Sequence, residues 1–145
     1  MTKLIGIAYK AEKRGPMLEL QQTNVSCEAG IIGDVRGKPG PRQVTLVSQQ
    51  QWQHACAQLG LSLSWLSRRA NLLVDDYNFS STDIDKQLQI GKLTLLITGE
   101  TAPCNRMDDA APGLKQLLTG NYLAGVTCQV VTPGEIAVGD KVDIR

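Results

Sequence analysis

A cysteine and an arginine two residues apart are the side chains best suited to chemistry in this sequence. Cys104 and Arg106 lie in the segment Pro-Cys-Asn-Arg-Met, shortly after the apolar run from Leu93 to Thr98. A neighbouring cation lowers the pKa of a thiol and favours the thiolate, the form that attacks sulfur and binds metals. Cys104 therefore has two interpretations, as a reactive thiolate or as a small apolar side chain packed in a pocket.

Two further groups of cations could hold an anion. Residues 35–42 contain three basic side chains, ending with Arg42, among two prolines and two glycines, so this segment is predicted to be a surface loop. Such a loop either binds an anion or has no role. Arg68 and Arg69 end a short helix predicted over residues 64–70, where the helix dipole favours cations, and they can also be read as a solvated helix end.

The element that must position the thiol is the run from Leu93 to Thr98, which predicts a buried strand. Gly99 and Pro103 are expected to end regular pairing, so Cys104 is predicted on a rigid loop just past the strand. Glu100 could orient the arginine or shuttle a proton, but a solvated loop charge is the simpler interpretation.

One helix is well defined by its pattern. Ser48 is a candidate N-cap with Gln51 in the capping-box position, and the helix is predicted to run to Leu59 and to stop at Gly60. His54 falls on the solvent side of this helix. The apolar face, which is predicted to pack on the sheet or barrel, carries Trp52, Ala55, Cys56 and Leu59.

The remaining pattern predicts about eight or nine short strands and three short helices in one domain over residues 1–145. Helices do not alternate with every strand, so a doubly wound parallel sheet fits poorly. The expected fold is mainly β with a few short helices, as a mostly antiparallel, closed or nearly closed β barrel, because closure protects the edges of many short strands.

Composition narrows the possible partners. The 15 basic and 14 acidic residues give a formal charge of +1. This net charge is too small to attract nucleic acid or an anionic membrane over a long range. No apolar run is long enough for a membrane helix or a secretory leader. The four cysteines form no Cys-x-x-Cys pair, and Cys128 is predicted to be in the core. Free thiols in a reducing cytoplasm are expected.

An ordered set of motifs resembles the MOSC domain, the module named for the C-terminal part of molybdenum cofactor sulfurases. The resemblance covers nearly the whole chain and is centred on Pro-Cys-x-Arg-Met. Its motifs are Gly30-Ile31-Ile32-Gly33-Asp34, Arg42-Gln43-Val44-Thr45-Leu46-Val47, Arg68-Arg69-Ala70-Asn71-Leu72, Gln89-Ile90-Gly91, Thr98-Gly99-Glu100-Thr101-Ala102-Pro103-Cys104-Asn105-Arg106-Met107, Gly125-Val126, and Gly134-Glu135-Ile136-Ala137-Val138-Gly139-Asp140-Lys141-Val142.

The resemblance implies a β barrel of the MOSC type and a role in molybdenum cofactor or sulfur chemistry. Cys104 matches the family's cysteine, which either binds molybdenum in the bound molybdopterin cofactor or carries a persulfide. The cofactor ends in a phosphate, which guanidinium groups match bidentately. The expected cofactor-binding residues are Arg106, Arg42, Arg68, Arg69 and Asn71.

Two departures from the family pattern limit these expectations. Many members have a histidine soon after the Gly-Asp pair, whereas Asp34 is followed by Val-Arg-Gly. The chain also shows neither the N-terminal barrel of the amidoxime-reducing enzymes nor an aminotransferase-like desulfurase domain, so pyridoxal phosphate is not expected. A separate cysteine desulfurase or electron-donor protein is the expected partner.

Three functions follow from these observations. The first is a molybdenum-cofactor-dependent reductase of N-hydroxylated compounds. The second is a sulfur carrier that takes a persulfide on Cys104. The third is a non-enzymatic barrel that binds an anionic ligand or a protein partner, with Cys104 as a structural residue.

Overall fold

The structure, a computed structural model, describes residues 1–102 and 106–145, and the side chains of all of these except Arg106. Most of the regular structure is β. The strands are β1 (Leu4–Tyr9), β2 (Leu18–Leu20), β3 (Gln22–Ser26), β4 (Gly30–Ile31), β5 (Val44–Ser48), β6 (Leu72–Val74), β7 (Gln87–Ile90), β8 (Leu93–Glu100), β9 (Val126–Thr132), β10 (Gly134–Ala137) and β11 (Val142–Ile144). The helices are α1 (Gln49–Gln58), α2 (Arg106–Ala110) and α3 (Leu114–Leu118), with 3₁₀ turns at Trp65–Ser67 and Ser81–Asp83.

The strands form a large curled sheet and a small one. The large sheet has the order β11-β7-β8-β9-β5-β6-β1-β2, and the small sheet has the order β10-β3-β4. The curl brings the start of β1 to the start of β11, where the Leu4 amide donates to the Asp140 carbonyl at 2.8 Å and the Val142 amide donates to the Thr2 carbonyl at 2.9 Å. The mainly β, barrel-like fold expected from the sequence is thus confirmed.

The large sheet is mixed rather than purely antiparallel. Its strand pairs are antiparallel except for β5 and β6, which run parallel with Leu46 opposite Leu72. The cause lies in the connection, because α1 and the Trp65–Ser67 turn return the chain to the end of the sheet from which β5 started.

Two apolar layers hold the sheet in place. Alternate residues of β5 and β6 point to opposite faces, as a pleated strand requires. Leu46 and Leu72 belong to the core inside the curled sheet, whereas Val47 and Leu73 pack on the other face. The helical side chains on that other face are Trp52, Ala55, Cys56, Met107, Leu114 and Leu118.

Helix α1 begins as the sequence predicts, with one difference at its cap. The Ser48 hydroxyl accepts the Gln51 amide at 3.3 Å, and the chain leaves the helix through Gly60, whose φ is +68°. The Gln51 side chain does not complete a capping box. Its carboxamide instead pairs with both backbone groups of Phe79, at 2.9 and 3.0 Å, and so ties α1 to the loop after β6.

Two predicted boundaries are wrong. Gly99 does not end the central strand, because β8 continues to Glu100 and absorbs an irregularity between Ile97 and Gly99 in its pairing with β9. The helix predicted over residues 64–70 is only the single 3₁₀ turn Trp65–Ser67. Among the helices of the described ranges, none has the length and apolar character needed to cross a membrane.

Candidate functional site

A pocket of about 650 Å³ lies at one end of the large sheet, where segments from distant parts of the chain meet. The end of β1, the loop of residues 35–42, the starts of β5 and β6, and the segment after β8 form its walls. We call it the cationic pocket, after its basic lining residues Lys10, Arg36, Lys38, Arg42, Arg68 and Arg69.

Arg68 lies on the inner wall of the cationic pocket. It is 3% exposed, and its Nη2 donates to the Ala124 carbonyl at 2.6 Å. Reading Arg68 as part of a solvated helix end is therefore wrong. The 3₁₀ turn is too short to carry the side chain outward, and Arg68 has already returned to extended backbone as the chain enters β6. Arg69 is half-buried and lines the same pocket.

Lys10 is a pocket residue that sequence reasoning missed. It directly follows β1 and is 5% exposed. The Asp34 carboxylate accepts the Lys10 amide at 2.9 Å, and the Lys10 carbonyl accepts the Val35 amide at 2.8 Å. The Asp34 side chain thus caps the backbone amide of the residue that follows β1. The sequence does carry a signal for Lys10, because a lysine directly follows an apolar strand. Buried lysines are rare, so a lysine at the end of a core strand is a candidate for a special role.

Asn71 has a supporting position in the same wall. Its Oδ1 accepts the Thr45 amide at 3.1 Å, and its Nδ2 donates to the Ala8 carbonyl at 3.2 Å. Asn71 itself is 5% exposed and precedes β6. The side chain therefore ties β1, β5 and β6 together beneath the arginines, while it also lines the cationic pocket.

The loop of residues 35–42, called here the cationic loop, carries Arg36, Lys38 and Arg42 at the pocket mouth, all exposed. Gly37 fixes this loop against the small sheet, because a Cβ at that position would lie 1.6 Å from the Ala29 carbonyl oxygen. Gln43 adds a second anchor: its Nε2 donates to the Gly37 carbonyl at 3.0 Å, and its Oε1 accepts the Val130 amide at 3.0 Å. These contacts therefore hold in place the backbone that carries the three cations at the pocket mouth.

The segment that leads to Cys104 is anchored up to Thr101. Glu100 pairs with Val126 and accepts the Tyr122 amide at 3.0 Å, so it is not a solvated loop charge. The Thr101 amide donates to the Gly125 carbonyl at 3.0 Å. Thr101 and Ala102 both line the cationic pocket. The predicted residue Cys104 and its neighbours Pro103 and Asn105 lie outside the described residues, as does the side chain of Arg106.

The cysteines other than Cys104 lie in surroundings that fit a structural role. Cys56 and Cys128 are buried, as predicted, and burial raises the pKa of both thiols. Cys27 is half-buried, and its Sγ lies 3.7 Å from the Val131 carbonyl oxygen. His54 is exposed and contacts the Gln58 side chain at 2.8 Å, in agreement with its predicted solvent position.

The charges of the lining residues determine what the pocket can hold. Asp34 is the one acidic residue among the described lining residues, and it is engaged with the Lys10 amide. The pocket is therefore strongly positive although the chain carries a formal charge of only +1. Guanidinium groups bind phosphate and carboxylate oxygens bidentately, so an anionic small molecule is the ligand class that fits.

Comparison with known proteins gives one family and several similar structures. A family model described as the MOSC domain matches residues 33–143. The crystal structure of the YuaD protein from Bacillus subtilis has a TM-score of 0.84 at 18% identity and covers 99% of this chain and 96% of that chain. No curated protein sequence matches the chain.

Two YiiM structures are also similar. YiiM from Escherichia coli has a TM-score of 0.71 at 14% identity, covering 99% of this chain and 69% of that chain. YiiM from Geobacillus stearothermophilus has a TM-score of 0.70 at 12% identity, covering 99% and 73%. At these identities the likeness shows a shared fold.

Proposed function

Because the chain belongs to the MOSC domain family, we propose that it binds a phosphate-bearing cofactor of the molybdenum cofactor class in the cationic pocket, with Cys104 as the sulfur ligand. The family is associated with functions like those of molybdenum cofactor sulfurase. The observation that carries the proposal is the convergence of six basic residues from three separate segments on one pocket.

The inner wall supports the proposal most directly. Placing a charged side chain away from water is costly unless a counter-charge or hydrogen bonds compensate it. Lys10 and Arg68 are 5% and 3% exposed, and both line the pocket. An anionic group in the pocket would add a favourable charge interaction to those that these side chains already make within the protein. The phosphate of the cofactor is suited to this position because a guanidinium can bind two of its oxygens at once.

The pocket also fits the cofactor in size and in polar groups. Small-molecule sites commonly have volumes of about 300–1,000 Å³, and this pocket has about 650 Å³. The buried hydroxyl of Thr101 has no hydrogen-bond partner within the described part of the chain, although the residue lines the pocket. A ligand rich in oxygen and nitrogen atoms would satisfy such a group.

Chain connectivity links the thiol to this pocket. Cys104 is two residues beyond the lining residue Ala102. Because two residues extend the chain by about 7 Å at most, this short separation supports a role for the Cys104 thiol at the pocket. In the proposed arrangement Arg42, Arg68 and Arg69 would hold the phosphate, Asn71 would keep the wall in place, and Cys104 would supply the sulfur ligand. When bound, the cofactor supplies a redox-active molybdenum centre.

The experiment is cofactor loading in a host that makes the molybdenum cofactor. Purified wild-type protein should contain molybdenum by elemental analysis and a pterin by fluorescence after oxidation. Cys104→Ala should lose molybdenum, because the sulfur ligand is removed. A double variant, Arg68→Gln with Arg69→Gln, should lose both molybdenum and pterin, because the phosphate is no longer held.

Lys92→Gln is the matched control, since it removes one exposed charge in the turn between β7 and β8, far from the pocket lining. It should load like wild type. Wild-type protein that carries neither molybdenum nor pterin after such expression overturns the proposal. Phosphate binding without either would assign the pocket to a smaller anion and favour the non-enzymatic function.

A sulfur carrier is the second candidate, and the positive charge of the cationic pocket favours it. A cationic environment stabilises a thiolate and, by the same electrostatics, the anionic form of a persulfide. After incubation with a cysteine desulfurase and cysteine, the peptide containing Cys104 would gain the mass of one sulfur atom. The gain should be absent in Cys104→Ala and unchanged in Cys56→Ala. An unmodified peptide would exclude this candidate.

A further inference from the structure

The neutral polar side chains that line the cationic pocket divide into two groups. Most have partners within the protein, which limits what they can offer a ligand. Gln43 and Asn71 each bond to two or more backbone groups, and the hydroxyls of Thr45 and Thr127 bond to neighbouring carbonyls. The hydroxyl of Thr101 differs, since no hydrogen-bond partner for it exists within the described ranges.

This hydroxyl is energetically unusual. Thr101 is 8% exposed and its Oγ1 is fully shielded from solvent. A buried polar group that makes no hydrogen bond is costly, and most such groups in folded proteins have a partner in the protein, in ordered water or in a ligand. Because Thr101 lines the pocket, a rotation about χ1 that turns the hydroxyl toward the cavity would let a ligand there provide that partner.

The position of Thr101 is fixed together with that of Arg68. The Arg68 guanidinium donates to the Ala124 carbonyl at 2.6 Å, and the Thr101 amide donates to the next carbonyl, that of Gly125, at 3.0 Å. Gly125 packs closely on β5, because a Cβ there would lie 2.0 Å from the Leu46 carbonyl oxygen. The same short stretch of chain thus holds a buried guanidinium and the Thr101 backbone, and both Arg68 and Thr101 line the pocket.

We propose that the Thr101 hydroxyl donates a hydrogen bond to an anionic oxygen of the ligand in the cationic pocket, on the wall that also carries Arg68. This inference rests on the proposed function, because it takes the ligand to be anionic. It adds a binding residue three positions before Cys104 that neither charge nor spacing identified. In the ligand-free protein the same hydroxyl is an uncompensated polar group, so the residue favours binding at the expense of stability.

The test uses inorganic phosphate as the probe and compares wild type with Thr101→Val, which replaces the hydroxyl by a methyl group of similar size. Calorimetric titration should show phosphate binding weakened roughly ten-fold in Thr101→Val, as expected for losing one hydrogen bond to a charged group. Thr101→Ser, which keeps the hydroxyl, should bind like wild type. The denaturation midpoint of ligand-free Thr101→Val should equal or exceed that of wild type, because an unsatisfied group is removed.

Thr119→Val is the matched control, because its hydroxyl is exposed and donates to the Lys115 carbonyl at 2.7 Å, away from the pocket. It should leave phosphate binding unchanged. If wild type binds phosphate and Thr101→Val binds it equally well, the hydroxyl serves a buried water and the inference is wrong while the proposed function stands. A Thr101→Val protein that is less stable than wild type would also overturn the inference. Wild type that does not bind phosphate overturns this inference, while the molybdenum and pterin content of the purified protein decides the proposed function separately.

Discussion

Arg68 and Thr101 are tied to consecutive carbonyl groups, although 33 positions separate them in the sequence. The Ala124 carbonyl accepts Nη2 of Arg68 and the Gly125 carbonyl accepts the amide of Thr101. The turn before β9 therefore positions both the buried guanidinium and the segment that leads to Cys104. A change at either contact should affect ligand binding and stability together, which gives the first prediction.

Arg68→Lys should destabilise the protein by about 1–3 kcal/mol, because the Ala124 carbonyl loses its buried partner. Phosphate binding should also weaken, since an ammonium group lacks the bidentate fork. Chemical denaturation and calorimetric titration measure the two effects. Arg36→Lys, at the exposed pocket mouth, is the control, and its stability should change by less than about 0.5 kcal/mol. Equal stability of Arg68→Lys and wild type would contradict the described contact.

The mouth cations should act mainly through long-range attraction. Replacing Arg36 and Lys38 with Gln should reduce the salt dependence of phosphate binding, because exposed charges are screened over a Debye length of about 10 Å at 0.1 M ionic strength. The measurement is the phosphate dissociation constant as a function of sodium chloride concentration. The double variant should approach wild-type affinity at high salt. If the dissociation constant of the double variant depends on salt as strongly as that of wild type, these side chains do not contribute to the electrostatic potential at the phosphate site.

Gly37→Ala should displace the cationic loop. The added Cβ would occupy the space of the Ala29 carbonyl oxygen, and we expect a loss of about 1–3 kcal/mol in stability, as for overpacked sites. Phosphate affinity should fall with it, because Arg36 and Lys38 flank Gly37. Gly99→Ala is the steric control, since the nearest atom to its Cβ, Oγ1 of Thr127, would lie 3.8 Å away. If Gly37→Ala has wild-type thermal stability, the close contact between Gly37 and the Ala29 carbonyl group would be contradicted.

The thiols should differ in reactivity with pH. Burial raises the pKa of Cys56 and Cys128, so these side chains remain protonated and alkylate slowly at neutral pH. Their rates should rise only in alkaline solution. Cys104 should react first, because the proposed cationic surroundings favour its thiolate. Peptide mapping after brief iodoacetamide treatment over a pH series would measure this order. Alkylation of Cys104 no faster than that of Cys128 in the folded protein would contradict a reactive role for Cys104.

Local sequence signals predicted most elements of the fold. The Ser48 cap and Gly60 bracket α1, as the sequence predicts. The burial of Cys56 and Cys128 follows from helical and strand periodicity. These features depend on near neighbours in the chain, so sequence reasoning can find them.

The boundaries that sequence reasoning missed were decided by distant partners. Gly99 breaks strands in isolation, but pairing of β8 with β9 carries the strand past it to Glu100. The parallel pairing of β5 and β6 depends on where α1 returns the chain, which no local pattern encodes. The position of Glu100 was likewise set by the Tyr122 amide, which lies 22 residues further along the chain.

The sequence by itself determined the MOSC family, the barrel-like β fold and the list of arginines that could hold an anion, because motif order and residue type are properties of the chain alone. Only the tertiary structure decided that Arg68 is buried, that Lys10 joins the arginines and that the Thr101 hydroxyl is left without a partner among the described residues. The physical reason is that burial and hydrogen bonding depend on which distant segments meet. Here those segments are the end of β1, the cationic loop, the residues before β6 and the turn before β9.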